Sequence, residues 1–303
     1  MSATPPTVIA QLVETMRALA GPHPGFRPVH AKGTVCSGTF RAAPEARTLS
    51  RAVHFQGNPI PTIIRFSNGS GDPGVSDGAA NPRAMAVKFQ LPSGKPADIL
   101  GLSVEGFPAR TPEEFLAFLQ AQRTPDAVPR FLQSHPATAA FLERLMQRPV
   151  PASYGQTSYF GEHAFRFTSA DGKSRFGRYR WTPEAGETFL SPNDASKLGA
   201  NFLTEELEKR LQKAPVVFQL RLQVAEAGDP TNDITALWPS TRPLVDVGRL
   251  EITALSPTGA ADERRLVFDP TNLTDGIDLS DDPILLARSA AYSISYDQRS
   301  KGG

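Results

Sequence analysis

The chain has 303 residues, 32 Lys and Arg against 31 Asp and Glu, a formal net charge of +1 and 40% hydrophobic residues. So even a balance gives no field to draw it to nucleic acid or an anionic membrane, and no apolar run reaches the ~18 residues a bilayer span needs. A lone cysteine, Cys36, excludes an internal disulfide and any metal or iron–sulfur site built from several thiolates. It reads as a small buried hydrophobe. The N-terminus lacks a basic stretch followed by an apolar core, so a cytoplasmic location is expected, or a periplasmic one if an export signal has been removed.

In chain order, Pro5 to Ala20 predicts an amphipathic helix, with Ile9, Leu12, Val13, Met16 and Leu19 at helical spacing. The segment GPHPG (21–25) stops it. The runs TIIRFS (62–67) and AMAVKFQL (84–91) predict buried strands. Thr111-Pro112-Glu113-Glu114 carries a capping-box pattern with Pro at the first helical position, so a helix through FLAFLQAQ follows. From Pro125 to Gln147 the pattern stays helical but is broken by prolines. AFRFTSADGKSRFGRYRW (164–181) predicts a hairpin around Asp171-Gly172. TEELEKRLQK (204–213) predicts a short helix, and VFQLRLQV (217–224) a half-buried strand with Phe218, Leu220, Leu222 and Val224 on one face. GRLEITAL (248–255) predicts another strand, and a last helix covers about Pro283 to Ala291.

Antiparallel-type strands with helices at the ends and in one insertion predict an α+β fold around an antiparallel sheet or closed barrel. There is no internal repeat, and the 28 prolines are dispersed as turn and edge punctuation, so residues 1–303 are expected to form a single domain. The five histidines, His23, His30, His54, His135 and His163, include no pair at zinc spacing. Neither a GxSxG elbow nor a GxxxxGK[ST] loop is present, which leaves hydrolase and nucleotide-hydrolase readings without support. His23, His54 and His135 read as structural.

Several collinear segments carry a resemblance. RPVHAKG (27–33), PTIIRFSNGSGDPGVSDGAANPRAMAVKF (61–89), YFGEHAFRFTSADGKSRFGRYRW (159–181), NDITALWPSTRPLVDVGRLEI (232–252) and FDPTNLTDGIDLSDDPILLARSAAY (268–292) resemble the haem catalases, and specifically their short relatives, the catalase-related peroxidases. The resemblance implies an antiparallel catalase-like barrel core with surrounding helices, without the C-terminal domains of long catalases. It implies haem b, held as in catalase by a tyrosine. Arg288 lies four residues before Tyr292, one helical turn, so the two share a helix face. By resemblance Tyr292 ligates the iron, and Arg288 with the ferric charge favours the anion of a phenol whose ordinary pKa is about 10.

The same resemblance makes His30 the distal base that moves a peroxide proton from the inner to the outer oxygen. It makes Ser67 the hydroxyl that fixes its tautomer. Arg27 and Arg65 should pair with haem carboxylates, for which the guanidinium fork is suited. Val29 and Phe115 should pack beside the haem, and Asp77 matches a channel carboxylate. His163 aligns with a histidine that contacts a nicotinamide nucleotide in some long catalases, although no bound nucleotide is expected here.

Long catalases place an asparagine in the distal pocket where this chain has Gly101-Leu102-Ser103. The lost donor, or its replacement by the shorter Ser103 hydroxyl, weakens the site that holds a second H2O2 as reductant. The short chain also implies a wider route to the haem edge. A haem peroxidase is therefore expected, reducing organic hydroperoxides or H2O2 with a small organic donor. A weak catalase is the alternative, followed by a hydroperoxide-rearranging enzyme of the allene-oxide-synthase kind and a non-catalytic haem-binding or haem-sensing barrel. The presence of both His30 and Tyr292 favours turnover over storage. The sequence leaves the oligomeric state open, a homo-oligomer included.

Overall fold

The computed structural model describes residues 5–301. Helix α1 (Pro6–Ala20) precedes strand β1 (Gly33–Ala42), helix α2 (Ala46–Leu49) and strands β2 (Ile60–Asn68), β3 (Arg83–Phe89) and β4 (Ala97–Leu102). Helices α3 (Pro112–Ala121), α4 (Ala127–Ser134) and α5 (Pro136–Gln147) form one insertion. Strands β5 (Val150–Pro151), β6 (Tyr159–Phe160), β7 (Phe165–Thr168), β8 (Ser174–Pro183) and β9 (Phe189–Leu190) follow, then helices α6 (Pro192–Ala195) and α7 (Phe202–Leu211). Strands β10 (Val216–Val224) and β11 (Leu244–Leu255), helix α8 (Gly259–Arg265), strand β12 (Ile277–Leu279) and helix α9 (Pro283–Lys301) complete the order.

The strands pair in the order β10-β11-β1-β2-β3-β4-β6-β8, and β8 pairs back onto β10, closing an antiparallel barrel from which β7 and β12 extend. Closure removes the open edges that invite unwanted pairing. The alternation in β10 puts Phe218, Leu220 and Leu222 in the core with no exposure. Phe40 meets Phe89 edge-on at 5.2 Å and Trp181 at 6.4 Å, and Phe66 stacks on Tyr154 at 5.2 Å. Rings of this size fill the interior as a packed core. His54 is buried against Phe55 and Phe89 with neither ring nitrogen hydrogen-bonded, and burial pushes its imidazole down to about 3.

Local signals decide the turns and caps. Gly172 takes φ 81° in the β7–β8 turn, where Ser169 N–H donates to the Lys173 carbonyl at 2.9 Å. At α3, Thr111 Oγ1 accepts from Glu114 N at 3.2 Å, while the Glu114 carboxylate accepts from Arg110 N rather than from Thr111. The proline break falls at His135-Pro136, between α4 and α5. Helix α9 runs ten residues beyond the expected end at Ala291. Its second half has little apolar periodicity, but Arg299 anchors it by donating to the Arg264 and Leu266 carbonyls at 3.0 and 2.7 Å. No helix among the described residues is long and apolar enough to cross a membrane.

Candidate active site

The barrel interior is full, so the large cavity, of about 360 Å³, lies outside it, between strands β2–β4 and helices α1, α3 and α9. Val29, His30, Arg27, Arg65, Ser67, Phe115, Arg288 and Tyr292 all line it, so the expected site residues converge on one space. Much of the remaining wall is apolar, from Leu12 and Met16 of α1, Phe107, Phe268, Ile284 and Ala291. Phe115 packs on Phe107 at 4.9 Å, and Val29 is one-third exposed at the cavity edge.

His30 sits at φ 55°, a left-handed conformation that non-glycine residues seldom adopt. Arg65 pins it there, donating from Nη2 to the His30 carbonyl at 2.6 Å. The Nδ1 atom lies 3.1 Å from the buried Ser67 Oγ, which leaves Nε2 for the cavity. Burial, with the charges of Arg65 and Arg288, pushes the imidazole down to about 3, so it is neutral across the working range and keeps a lone pair free.

Tyr292 accepts a 2.6 Å hydrogen bond from Arg288 Nη2. Burial pushes the phenol up while Arg288 pulls it down, and the net direction is up. Arg288 alone therefore does not make the anion. Arg288 is driven down by burial but raised on balance by Tyr292 and Glu162. Behind it lies His163, whose Nε2 is 3.5 Å from Arg288 Nη1 and whose Nδ1 is 2.6 Å from Asp282 Oδ2. The other oxygen of Asp282 accepts from Ile284 N at 2.9 Å, tying this chain of contacts to the start of α9. His163 thus backs the Arg288–Tyr292 pair. Glu162 also lines the cavity with Oε1 unpartnered, and burial pushes its carboxyl up to about 8, so it is protonated at neutral pH.

Two expectations need correction. Ser103 does not line the cavity; its Oγ is buried, accepting from Arg83 N at 2.8 Å, and Leu102 alone presents its side chain there. Asp77 is buried away from the cavity, 2.9 Å from Lys32 Nζ and accepting from Leu203 N at 3.0 Å, so it fastens a loop. Arg27 and Arg65 do line the cavity, where both bind the carboxylate of Glu263 on α8. The sequence reading missed Glu162, Glu263 and Arg299: Glu263 meets Arg27 and Arg65 across long stretches of chain, Glu162 lies in a segment quoted only for its resemblance, and Arg299 lies two turns past Tyr292, beyond the helix end expected at Ala291. His23, near the Ala20 carbonyl at 3.1 Å, and His135, stacked on Phe131 at 3.7 Å, lie outside this cavity.

A catalase family model matches residues 10–302. A catalase-related peroxidase of Mycolicibacterium paratuberculosis is 43% identical over 95% of this chain and 94% of its own length. Another catalase-related peroxidase, of Synechococcus elongatus, is 35% identical over 96% of this chain and 88% of its own. A solved fungal catalase superposes with a TM-score of 0.84 at 22% identity, over 95% of this chain and 62% of that one. The chain thus spans about three-fifths of that catalase's length.

Proposed function

This chain belongs to the catalase family, and from that premise we propose that it is a single-domain haem peroxidase that reduces organic hydroperoxides or H2O2 at the expense of a small organic donor. Family membership implies haem, and the cavity suits one. A tyrosine oxygen with a guanidinium partner is a hard, anion-forming donor for ferric iron. Apolar walls suit a porphyrin face, and the guanidiniums of Arg27, Arg65 and Arg299 at one edge suit its carboxylates. Arg288 Nε and Glu162 Oε1, both buried without a partner, mark the interior as a place prepared for more than protein. In this reading Tyr292 holds the iron of haem b, and Val29 and Phe115 pack beside the ring.

When bound, the haem supplies ferric iron as Lewis acid and as the electron source for cleaving the peroxide O–O bond. The protein does the proton work. His30 Nε2, neutral because of burial, takes the proton from the inner peroxide oxygen and returns it to the outer one, which leaves as water or an alcohol. Ser67 Oγ holds the opposite ring nitrogen, so that Nε2 keeps its lone pair toward the cavity. Asp282, His163 and Arg288 keep the Tyr292 oxygen in place from behind. Leu102 offers no hydrogen bond to a second H2O2, which favours donor oxidation over dismutation.

The observation that carries the reading is the convergence of the Ser67–His30 pair and the Arg288–Tyr292 pair on one apolar cavity. The test is to load the purified chain with haemin and measure oxygen release and phenolic-donor oxidation side by side, with cumene hydroperoxide and with H2O2. Donor oxidation should dominate with both. Oxygen release at long-catalase rates would favour a catalase, and a spectrum indifferent to peroxide would favour haem storage or sensing.

A further inference from the structure

At the edge of the cavity three guanidiniums, of Arg27, Arg65 and Arg299, gather around one carboxylate, that of Glu263. Arg65 Nε donates to both Glu263 oxygens at 2.8 Å, and Arg27 Nη1 binds Oε2. Arg27 and Arg299 also share the Leu266 carbonyl, at 2.8 and 2.7 Å. The cluster is nearly out of water, with the side chains of Arg27, Arg65 and Glu263 exposed by 15, 5 and 18%. Among the described residues no other carboxylate pairs with these arginines, so two positive charges stay without an anion. Buried cations without counterions are costly. Burial first, and the charge of Arg65 next, push Arg27 down to about 9. The backbone is bare beneath the pair: a Cβ on Gly33 would run into both Glu263 Oε1 and Arg65 Nη2.

The helix that carries Glu263 is fastened at its start and on its cavity side. Ser256 and Thr258 fasten its start by donating to the Asp262 carboxylate, and Leu266 N bonds to the Asp262 carbonyl at 2.8 Å. Between these points the Glu263 carboxylate ties α8 to the cavity, together with two backbone carbonyls: Glu263 O accepts from Arg27 Nη1 at 2.7 Å and Arg264 O from Arg299 Nε at 3.0 Å. A haem carboxylate would need the donors that Glu263 now takes.

We propose that Glu263 is a resident stand-in for the cofactor's carboxylate: it fills the arginine cradle until haem arrives, and its displacement on loading loosens the hold of α8 on the cavity wall. This rests on the reading of the cavity as a haem site. It makes uptake a carboxylate exchange, with Arg27 and Arg65 changing partner and never standing bare.

Hydrogen exchange on the full chain tests it. Haemin loading should speed exchange of the amides in 259–265 by about tenfold or more, because a charge-assisted hydrogen bond holding the segment is worth ~1.5–3 kcal/mol. Haemin dimethyl ester, which has no carboxylate, should leave those amides as slow as in the cofactor-free chain. Glu263→Gln should show the fast exchange before loading and bind haemin about tenfold or more tightly, read from a titration of the visible band. Amides that stay equally protected with haemin bound, or weaker haemin binding by Glu263→Gln, would overturn the inference while leaving the haem reading intact. Absence of any visible band with haemin would overturn both.

Discussion

Leu102→Asn puts a hydrogen-bond donor into the wall of the cavity that His30 also lines, at a position that now offers only aliphatic carbon. Leu102 already points into the cavity from the end of β4, so the substitution changes chemistry at nearly constant volume. A hydrogen bond to a strongly polarised peroxide oxygen is worth ~1.5–3 kcal/mol, or roughly 10- to 150-fold in rate when it forms only in the transition state. Oxygen release from H2O2 should therefore rise by about one to two orders of magnitude, and the share of oxidising equivalents reaching a phenolic donor should fall. The assay is an oxygen electrode and a dye-oxidation cuvette on the same preparation, normalised to haem content. The neighbouring change, Ser103→Asn, is the control: it should not raise oxygen release, since Ser103 Oγ is committed to Arg83 N, and it should cost ~1–3 kcal/mol of stability by stranding that amide. If Leu102→Asn binds haem normally yet partitions like wild type, the distal donor does not govern the choice between peroxidase and catalase chemistry.

Tyr292→Phe should lose haemin affinity or shift the ligand-field bands, and a spectrum identical to wild type would remove Tyr292 as the ligand. His30→Ala should keep near-normal haem content while slowing peroxide cleavage by about 10²–10⁴, the range for a positioned acid–base group; an unchanged single-turnover rate in stopped flow would contradict this. His54 predicts acid lability. Its imidazole is pushed down to about 3 in the fold against about 6.5 unfolded, so below pH ~6.5 the unfolded chain binds a proton the native one refuses, and stability falls with pH down to about 3. Between pH 7 and 5 this amounts to ~2 kcal/mol, which His54→Leu should remove from a pair of urea titrations; an equal pH dependence in both proteins would refute it.

The barrel was legible where a strand states its own environment. The alternation Phe218, Leu220, Leu222 names a core face, and Asp171-Gly172 names a turn. The Arg288–Tyr292 pair was legible because both residues lie in one short segment, and the His30–Ser67 pair because each residue lies in one of two collinear segments that carry the resemblance. What the sequence hid depends on side-chain direction and on distant partners. Neighbours along a strand face opposite ways, so the end of β4 can show the cavity Leu102 or Ser103 but not both. Glu263 reaches Arg65 across 198 residues, and no local pattern announces such a meeting. The second half of α9 lacks an apolar stripe and is held by Arg299 at carbonyls that only the fold assembles.

The order of the elements has a bearing on biosynthesis. Every barrel strand, from β1 to β11, emerges from the ribosome before α9, which packs against α1 and brings Tyr292 and Arg299 to the cavity. The barrel can thus close on its own aromatic core while the helix bearing Tyr292, the proposed iron ligand, is still being translated. A nascent chain halted before α9 should resist protease through the barrel yet give no tyrosinate-type spectrum with haemin. On this order a haem would meet a scaffold already shaped, with Tyr292 and the helix that walls the cavity arriving together.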